Sequence, residues 1–187
     1  MLSDGRQRRP GLGSRAGGGR AARAYNRAMP APNEYRQQHD AFARGPAVLR
    51  AAIEGLTVGD LTRRSDGVGW STRDVMVHLA DMELARSVRI RMMLAEENPV
   101  LFAAPEELWQ RRLHYLWRSP EAALTLFEMA RFSTAEILGH CGREAWLRPG
   151  QHPDDGEITV LELVERGIRH VSDHVEQIRV NRGGAPA

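Results

Sequence analysis

Two histidines near the carboxyl end of the sequence have a spacing that suits a metal ion. His170 and His174 lie four residues apart, within a stretch whose apolar residues recur at helical intervals. With about 3.6 residues per turn, both imidazoles face the same side of a helix, one turn apart. Because this spacing is common by chance, two histidines hydrogen-bonded to neighbours or water are the more frequent alternative. A metal site therefore needs a third ligand from elsewhere in the chain.

His78 is the candidate for that third ligand. It belongs to the stretch 70–83, in which Ser71 and Asp74 are placed to form a variant of the capping box at the start of a helix. The helix is predicted to run to about Glu97, and His78 falls on its inward apolar stripe. Taken alone, a histidine in that place is more often a core residue hydrogen-bonded to a neighbouring helix.

Helical spacing runs through most of the chain from residue 33 onward. Four amphipathic segments are predicted, the third of them broken near its middle: 34–56, 71–97, 105–138 and 159–181. Gly45-Pro46 should kink or divide the first segment, because proline removes a backbone hydrogen bond. Thr159 and Glu162 form a capping box that begins the last segment. The apolar residues of the second half of the third segment are predicted to be core: Leu124, Phe127, Met129, Phe132 and Ile137.

These segments predict an all-α chain folded as an antiparallel four-helix bundle, in which side chains of facing helices build sites. The stretches 57–69 and 139–158 contain the turn residues Asp66-Gly67 and Pro149-Gly150 and are predicted to be loops. Trp146 would anchor the second loop. Long loops over the end of a bundle often wall a pocket, so 139–158 is the expected wall of the site.

The beginning of the chain differs in composition from the rest. Residues 1–28 hold seven of the 26 arginines and one acidic residue, so 1–32 is predicted to be a disordered basic tail before a domain at 33–183. The remainder has 19 arginines against 23 acidic residues, which argues against a nucleic-acid partner. The sequence has no run of about 18 apolar residues, which argues against a membrane partner. A single cysteine, Cys141, fits a cytoplasmic location.

The two histidine segments together resemble a known family. Trp-Ser-x-x-(Asp/Glu)-Val-x-x-His-Leu-Ala-Asp at 70–81, followed by His-x3-His-x2-Gln-Ile at 170–178, is similar to the DinB/YfiT-like superfamily over roughly residues 34–182. The resemblance implies a four-helix bundle, a divalent metal held by His78, His170 and His174, and a homodimer. It also implies a small-molecule substrate. Some relatives use a low-molecular-weight thiol, as bacillithiol or mycothiol transferases and as a mycothiol-dependent maleylpyruvate isomerase.

Three neutral imidazoles leave at least one coordination position for water or substrate, which is typical of a catalytic zinc site. Since none of the ligands is anionic, the ion keeps its full charge and acidifies a bound water or thiol. This favours hydrolysis or thiol transfer. Nitrogen ligands suit zinc best here, with nickel, iron or manganese also compatible.

Three further residues are weaker candidates. Asp81 and Asp173 could hydrogen-bond the ligand imidazoles, although solvated or ion-paired helix carboxylates are the more common alternative. Arg169 could bind an anionic substrate or thiol, but an ion pair on the helix surface is the more common alternative. Cys141 is expected to be a partly buried, inert thiol.

The sequence therefore predicts a metal-dependent hydrolase or a bacillithiol or mycothiol S-transferase. The alternative is a non-enzymatic bundle in which the metal or the histidines are structural, acting as a stress-related binding protein. An open coordination position would favour the enzyme, and a fourth protein side chain on the metal would favour the alternative.

Overall fold

The structure is a computed structural model of the 187-residue chain, and it describes residues 33–64 and 69–183. The predicted tail at 1–32 and the predicted turn at Asp66-Gly67 lie outside these residues. The helices are α1 Arg36–Ile53, α2 Val58–Thr62, α3 Thr72–Ala95, α4 Glu106–Arg112, α5 Pro120–Gly139, α6 Arg143–Trp146 and α7 Val160–Asn181. Two 3-10 turns, Asn33–Tyr35 and Tyr115–Trp117, and two strands, β1 Pro149–His152 and β2 Gly156–Thr159, complete the described part.

The four long helices α1, α3, α5 and α7 form the bundle. Helix α3 packs against α5 and α7, and α1 packs against the same two helices, so α1 lies diagonally opposite α3. The amide of Asn181 donates to the carbonyl of Trp70 at 2.9 Å, which brings the end of α7 to the start of α3. The prediction of an all-α four-helix bundle is confirmed. None of the helices among the described residues has the length and apolarity of a membrane span.

The predicted helix starts are confirmed, because each depends on local hydrogen bonds. The Ser71 hydroxyl accepts from the Asp74 amide, and the Asp74 carboxylate accepts from the Ser71 amide at 3.0 Å. The same reciprocal pair joins Thr159 and Glu162 at the start of α7. At α5, Ser119 accepts from the Ala122 amide at 3.1 Å.

A kink or a division was predicted at Gly45-Pro46, and the division does not occur, because helix α1 continues through both residues. Proline at position 46 cannot donate to the carbonyl of Phe42, one turn earlier. That carbonyl instead accepts from the guanidinium of Arg131 on α5, at 3.0 Å. A Cβ atom at Gly45 would lie 2.8 Å from the same guanidinium, so the glycine leaves room for it. A side chain from another helix thus replaces the missing helical bond.

The stretch 139–158 was predicted to be a loop and is partly structured. It contains α6 and an antiparallel hairpin in which Gly150 pairs with Ile158. Trp146 is fully buried and anchors the segment, as predicted. The hairpin lies at the far end of α3 from Ser71, since Gly150 packs against Met93. The expectation that this segment walls the histidine site was therefore wrong.

Candidate metal centre

Three imidazoles meet between α3 and α7. Nε2 of His170 lies 2.9 Å from Nε2 of His78 and 3.1 Å from Nε2 of His174. The ligand atoms of all three residues lie within 4.8 Å of one another. In a tetrahedral zinc site with Zn–N bonds of about 2.0–2.1 Å, ligand atoms stand roughly 3.3 Å apart. The structure thus brings together the three histidines that the sequence singled out, at close to metal-ligand spacing.

A hydrogen bond to a neighbouring side chain fixes the tautomer of one of the three imidazoles. Nδ1 of His174 lies 2.9 Å from the side-chain oxygen of Gln177, which only accepts, so the proton of this ring lies on Nδ1. The Nδ1 atoms of His78 and His170 are buried and have no hydrogen-bond partner among the described residues. A cation at the point where the Nε2 atoms converge would bind all three lone pairs at once. The donor set therefore fits a divalent metal.

Trp70 packs against two of these imidazoles. Its ring is parallel to that of His174, with centroids 6.0 Å apart, and meets the edge of His78 at 4.6 Å. Tyr115 approaches Trp70 from the 3-10 turn, with centroids 6.5 Å apart. Trp70 therefore limits the rotation of two of the three rings that converge between α3 and α7.

Burial keeps two of the three imidazoles, those of His78 and His170, neutral. Burial lowers the pKa of His78 to about 3, with a smaller contribution from the positive charges of His174 and Arg86. Burial lowers the pKa of His170 to about 2, again with help from Arg86. Neutral imidazole is the form that binds metals. Both rings are therefore in the ligand form at neutral pH.

A buried ion pair lies beside this centre. Glu83 of α3 and Arg131 of α5 are both fully buried, and the guanidinium donates to the carboxylate at 2.6 Å. Arg86 donates to the same carboxylate oxygen at 2.9 Å. Arg131 also reaches the carbonyl of Gly167, at 3.4 Å, one turn before His170 on α7. The pair thus ties three helices together next to the histidines.

The other predicted site residues lie apart from the three imidazoles. The carboxylate of Asp81 accepts from Arg118 at 2.6 Å, which matches the ion-paired alternative for this residue. Asp173 and Arg169 are exposed on α7. Cys141 is partly buried and donates to the carbonyl of Ile137, and burial raises the pKa of its thiol. An inert thiol was expected there.

One acidic residue near the histidines was missed in the sequence. Oε2 of Glu106, the first residue of α4, lies 3.8 Å from Nε2 of His78. Its side chain is 53% exposed, so this carboxylate stands at the edge of the site. The only local signal was an acidic residue in the first turn of a short helix, which is ordinary helix chemistry. A carboxylate from α4 therefore borders the three histidines.

Comparison with known proteins finds one matching family and relatives with similar names. The sequence pattern of the DinB superfamily matches residues 41–178. YfiT of Bacillus subtilis, named as a candidate metal-dependent hydrolase, is 31% identical over 135 residues, which are 71% of this chain and 75% of that protein. A similarly named protein of Oceanobacillus iheyensis is 26% identical over 134 residues, or 71% of this chain and 77% of its own.

The solved structure of YfiT, described as having an unusual four-helix bundle topology, shares the fold of this chain. The two superpose with a TM-score of 0.74 at 22% identity, covering 85% of this chain and 93% of the other.

Proposed function

Since the chain belongs to the DinB superfamily, we propose that it is a metal-dependent hydrolase of a small-molecule substrate, built around His78, His170 and His174. The observation that carries this proposal is the convergence of three Nε2 atoms from two helices, with 2.9 and 3.1 Å between them. Zinc is the proposed ion, because borderline nitrogen donors suit it.

The protein groups have separable tasks in this proposal. A divalent ion held by neutral imidazoles acts as a Lewis acid and lowers the pKa of a bound water or thiol. His78, His170 and His174 would hold the ion, and burial keeps His78 and His170 unprotonated. Trp70 packs on two of the rings and limits their rotation. The set of three histidines leaves a coordination position for a reactant.

Transfer of a low-molecular-weight thiol is the second candidate reaction, because the same ion would acidify a thiol as readily as water. The thiol would come from outside the chain. Cys141, the single cysteine, makes its contact with the carbonyl of Ile137 and has a raised thiol pKa. A bacillithiol- or mycothiol-type compound would then be the co-substrate. We place the reaction in the cytoplasm.

The first test is the metal content of protein purified without chelator or nickel affinity resin. We expect about one divalent ion per wild-type chain and none in a His170→Ala/His174→Ala variant. His140→Ala is the matched control, since His140 is exposed and bonds the carbonyl of Glu136 within its own helix. If the wild type contains no metal and takes up none of zinc, nickel, manganese or iron, the proposal is wrong. The histidines would then be core residues of a binding or structural bundle.

The second test separates the two reactions. The metal-loaded protein is assayed against a panel of esters and amides, with and without a low-molecular-weight thiol. Turnover that needs no thiol supports hydrolysis, and turnover that requires it supports thiol transfer. Both activities should be lost in the double histidine variant and kept in His140→Ala.

A further inference from the structure

Glu106 approaches the histidines from a part of the chain outside the four bundle helices. It begins α4, which follows α3 and precedes α5 in the chain and packs against α3. Its Oε2 atom lies 3.8 Å from Nε2 of His78, the same nitrogen that faces His170. Glu106 therefore points its charge at the side of His78 where an ion would be held.

The distance places this carboxylate just beyond the ligand set. The imidazole nitrogens stand 2.9 and 3.1 Å apart, whereas the carboxylate oxygen is 3.8 Å from the nearest of them. The compact group that can hold an ion comprises only the three histidines among the described residues. A group at this distance can accept a hydrogen bond from a molecule that occupies the remaining coordination position.

The positive charges around the site also favour a carboxylate near His78. Arg86 lowers the pKa of both His78 and His170, so its positive charge acts on the centre. The nearby carboxylate of Glu83 is already shared by Arg131 and Arg86. A divalent ion on neutral ligands would add more positive charge in a buried place, which is costly without a nearby anion. Glu106 supplies that anion.

We propose that Glu106 faces the open position of the metal centre and accepts a hydrogen bond from the water or thiol held there. This inference rests on the proposed metal site. A carboxylate accepts hydrogen bonds but repels anions, so the position favours a neutral molecule that carries a proton over a small anion. Glu106 thereby selects the class of co-substrate, in addition to balancing charge.

The test compares Glu106→Gln with Glu107→Gln in the cobalt-loaded full-length protein. Both residues lie in the first turn of α4, so both changes remove the same helix-terminal charge. Azide is titrated while the visible absorption of cobalt is followed, and the dissociation constant of cobalt is measured by competition with a chelator. Circular dichroism verifies that each variant is folded.

In Glu106→Gln we expect azide to bind about fivefold tighter or more, since a unit charge about 4 Å away is removed. Cobalt should bind roughly tenfold more weakly, the usual effect of losing a hydrogen-bonding group beside a metal site. Glu107→Gln should stay within about twofold of wild type in both measurements. A residue that only stabilised α4 could weaken cobalt binding but would not strengthen azide binding.

Two results would overturn the inference while leaving the metal centre intact. One is wild-type azide affinity in cobalt-loaded Glu106→Gln, and the other is an equal gain in Glu107→Gln. Failure of the wild type to bind cobalt or zinc would instead overturn both the inference and the proposed function. The experiment therefore distinguishes the two.

Discussion

Replacing Arg131 by methionine should destabilise the protein strongly, although this residue lies outside the set of metal ligands. Methionine fills most of the arginine's volume, so the change removes charge and hydrogen bonds more than packing. Removing one partner of a buried ion pair costs about 3–5 kcal/mol. The variant also leaves the carbonyl of Phe42 without a partner, because Pro46 has no amide proton to donate. Such an orphaned group costs about 1–3 kcal/mol.

A compensating contact limits the loss. Arg86 remains 2.9 Å from the carboxylate of Glu83, so that carboxylate keeps one counter-ion. We therefore expect Arg131→Met to lower the free energy of unfolding by about 3–5 kcal/mol. Small domains typically have about 5–15 kcal/mol in total, so the variant should still fold.

The assay is equilibrium urea unfolding of metal-free protein, since bound metal would add its own stabilisation. Arg50→Met is the matched control, because Arg50 of α1 also pairs with a glutamate of another bundle helix, Glu128 of α5, but is 62% exposed. An exposed pair contributes less than about 1 kcal/mol. If Arg131→Met lost no more than Arg50→Met, the buried pair would have no special role in stability.

A double variant tests whether the cost comes from an unpaired charge. Glu83→Leu/Arg131→Met removes both members of the pair, and Arg86 is partly exposed and can turn toward water. Replacing a whole buried ion pair by apolar residues is often close to neutral. We expect the double variant to be less destabilised than the sum of the two single variants by about 1 kcal/mol or more. Additive losses would contradict this explanation.

Three further expectations follow from the structure. Trp70→Leu should weaken zinc binding roughly tenfold in a chelator competition while the helical signal stays, because the indole orients His174; unchanged affinity would refute this. Hydrogen bonds from Thr159 lower the pKa of Glu162, so its carboxylate stabilises the fold above its ordinary pKa and loses this effect as pH falls. Urea unfolding should thus show Glu162→Ala about 1 kcal/mol less stable than wild type at pH 7, with the difference shrinking as pH falls below the ordinary glutamate pKa; a pH-independent gap would contradict it. We also propose the homodimer that the family resemblance implies: light scattering should give twice the 20.9 kDa chain mass for wild type and the single mass for Trp117→Glu, since Trp117 is 83% exposed; a wild-type monomer would refute it.

Local chemistry explains which parts of the fold the sequence could predict. The capping boxes at Ser71 and Thr159 join residues three apart, so they can be recognised without knowing the fold. The cluster of histidines was predictable in part because His170 and His174 share one helix face. The stretch around His78 made it the candidate for a third ligand, but only the resemblance to a family implied that it meets the other two, since helical spacing cannot set the relative height of two helices.

Contacts between distant segments explain what the sequence could not predict. The hairpin strands have four residues each and begin with Pro149-Gly150, which is ordinary turn chemistry. They contact the segment that follows α3, where the amide of Gln151 donates to the carbonyl of Pro99. The position of Glu106 beside His78 likewise depends on how α4 packs. Neither contact leaves a periodic signal in the sequence.

In helix α5 the buried face contains a charged residue, Arg131, so apolar spacing alone does not identify that face. Met129 and Phe132, predicted to be core, are each 59% exposed. The buried face is the stripe at Pro120, Ala123, Leu124, Phe127, Arg131, Thr134, Ala135 and Leu138. This stripe has regular helical spacing, but it contains an arginine and a threonine where apolar residues are expected.

The signal that Arg131 is buried lies on a different helix. Gly45 has no side chain to occupy the space of the guanidinium, and Pro46 leaves the carbonyl of Phe42 without its helical donor. In the sequence this dipeptide indicated a kink or a division of the helix. In the bundle it makes room for the guanidinium of Arg131, and Glu83 balances the charge of that guanidinium. Helix α1 stays continuous at this Gly-Pro pair because another helix supplies the missing donor. That donor is Arg131, in the buried stripe of α5, and it bonds the carbonyl of Phe42.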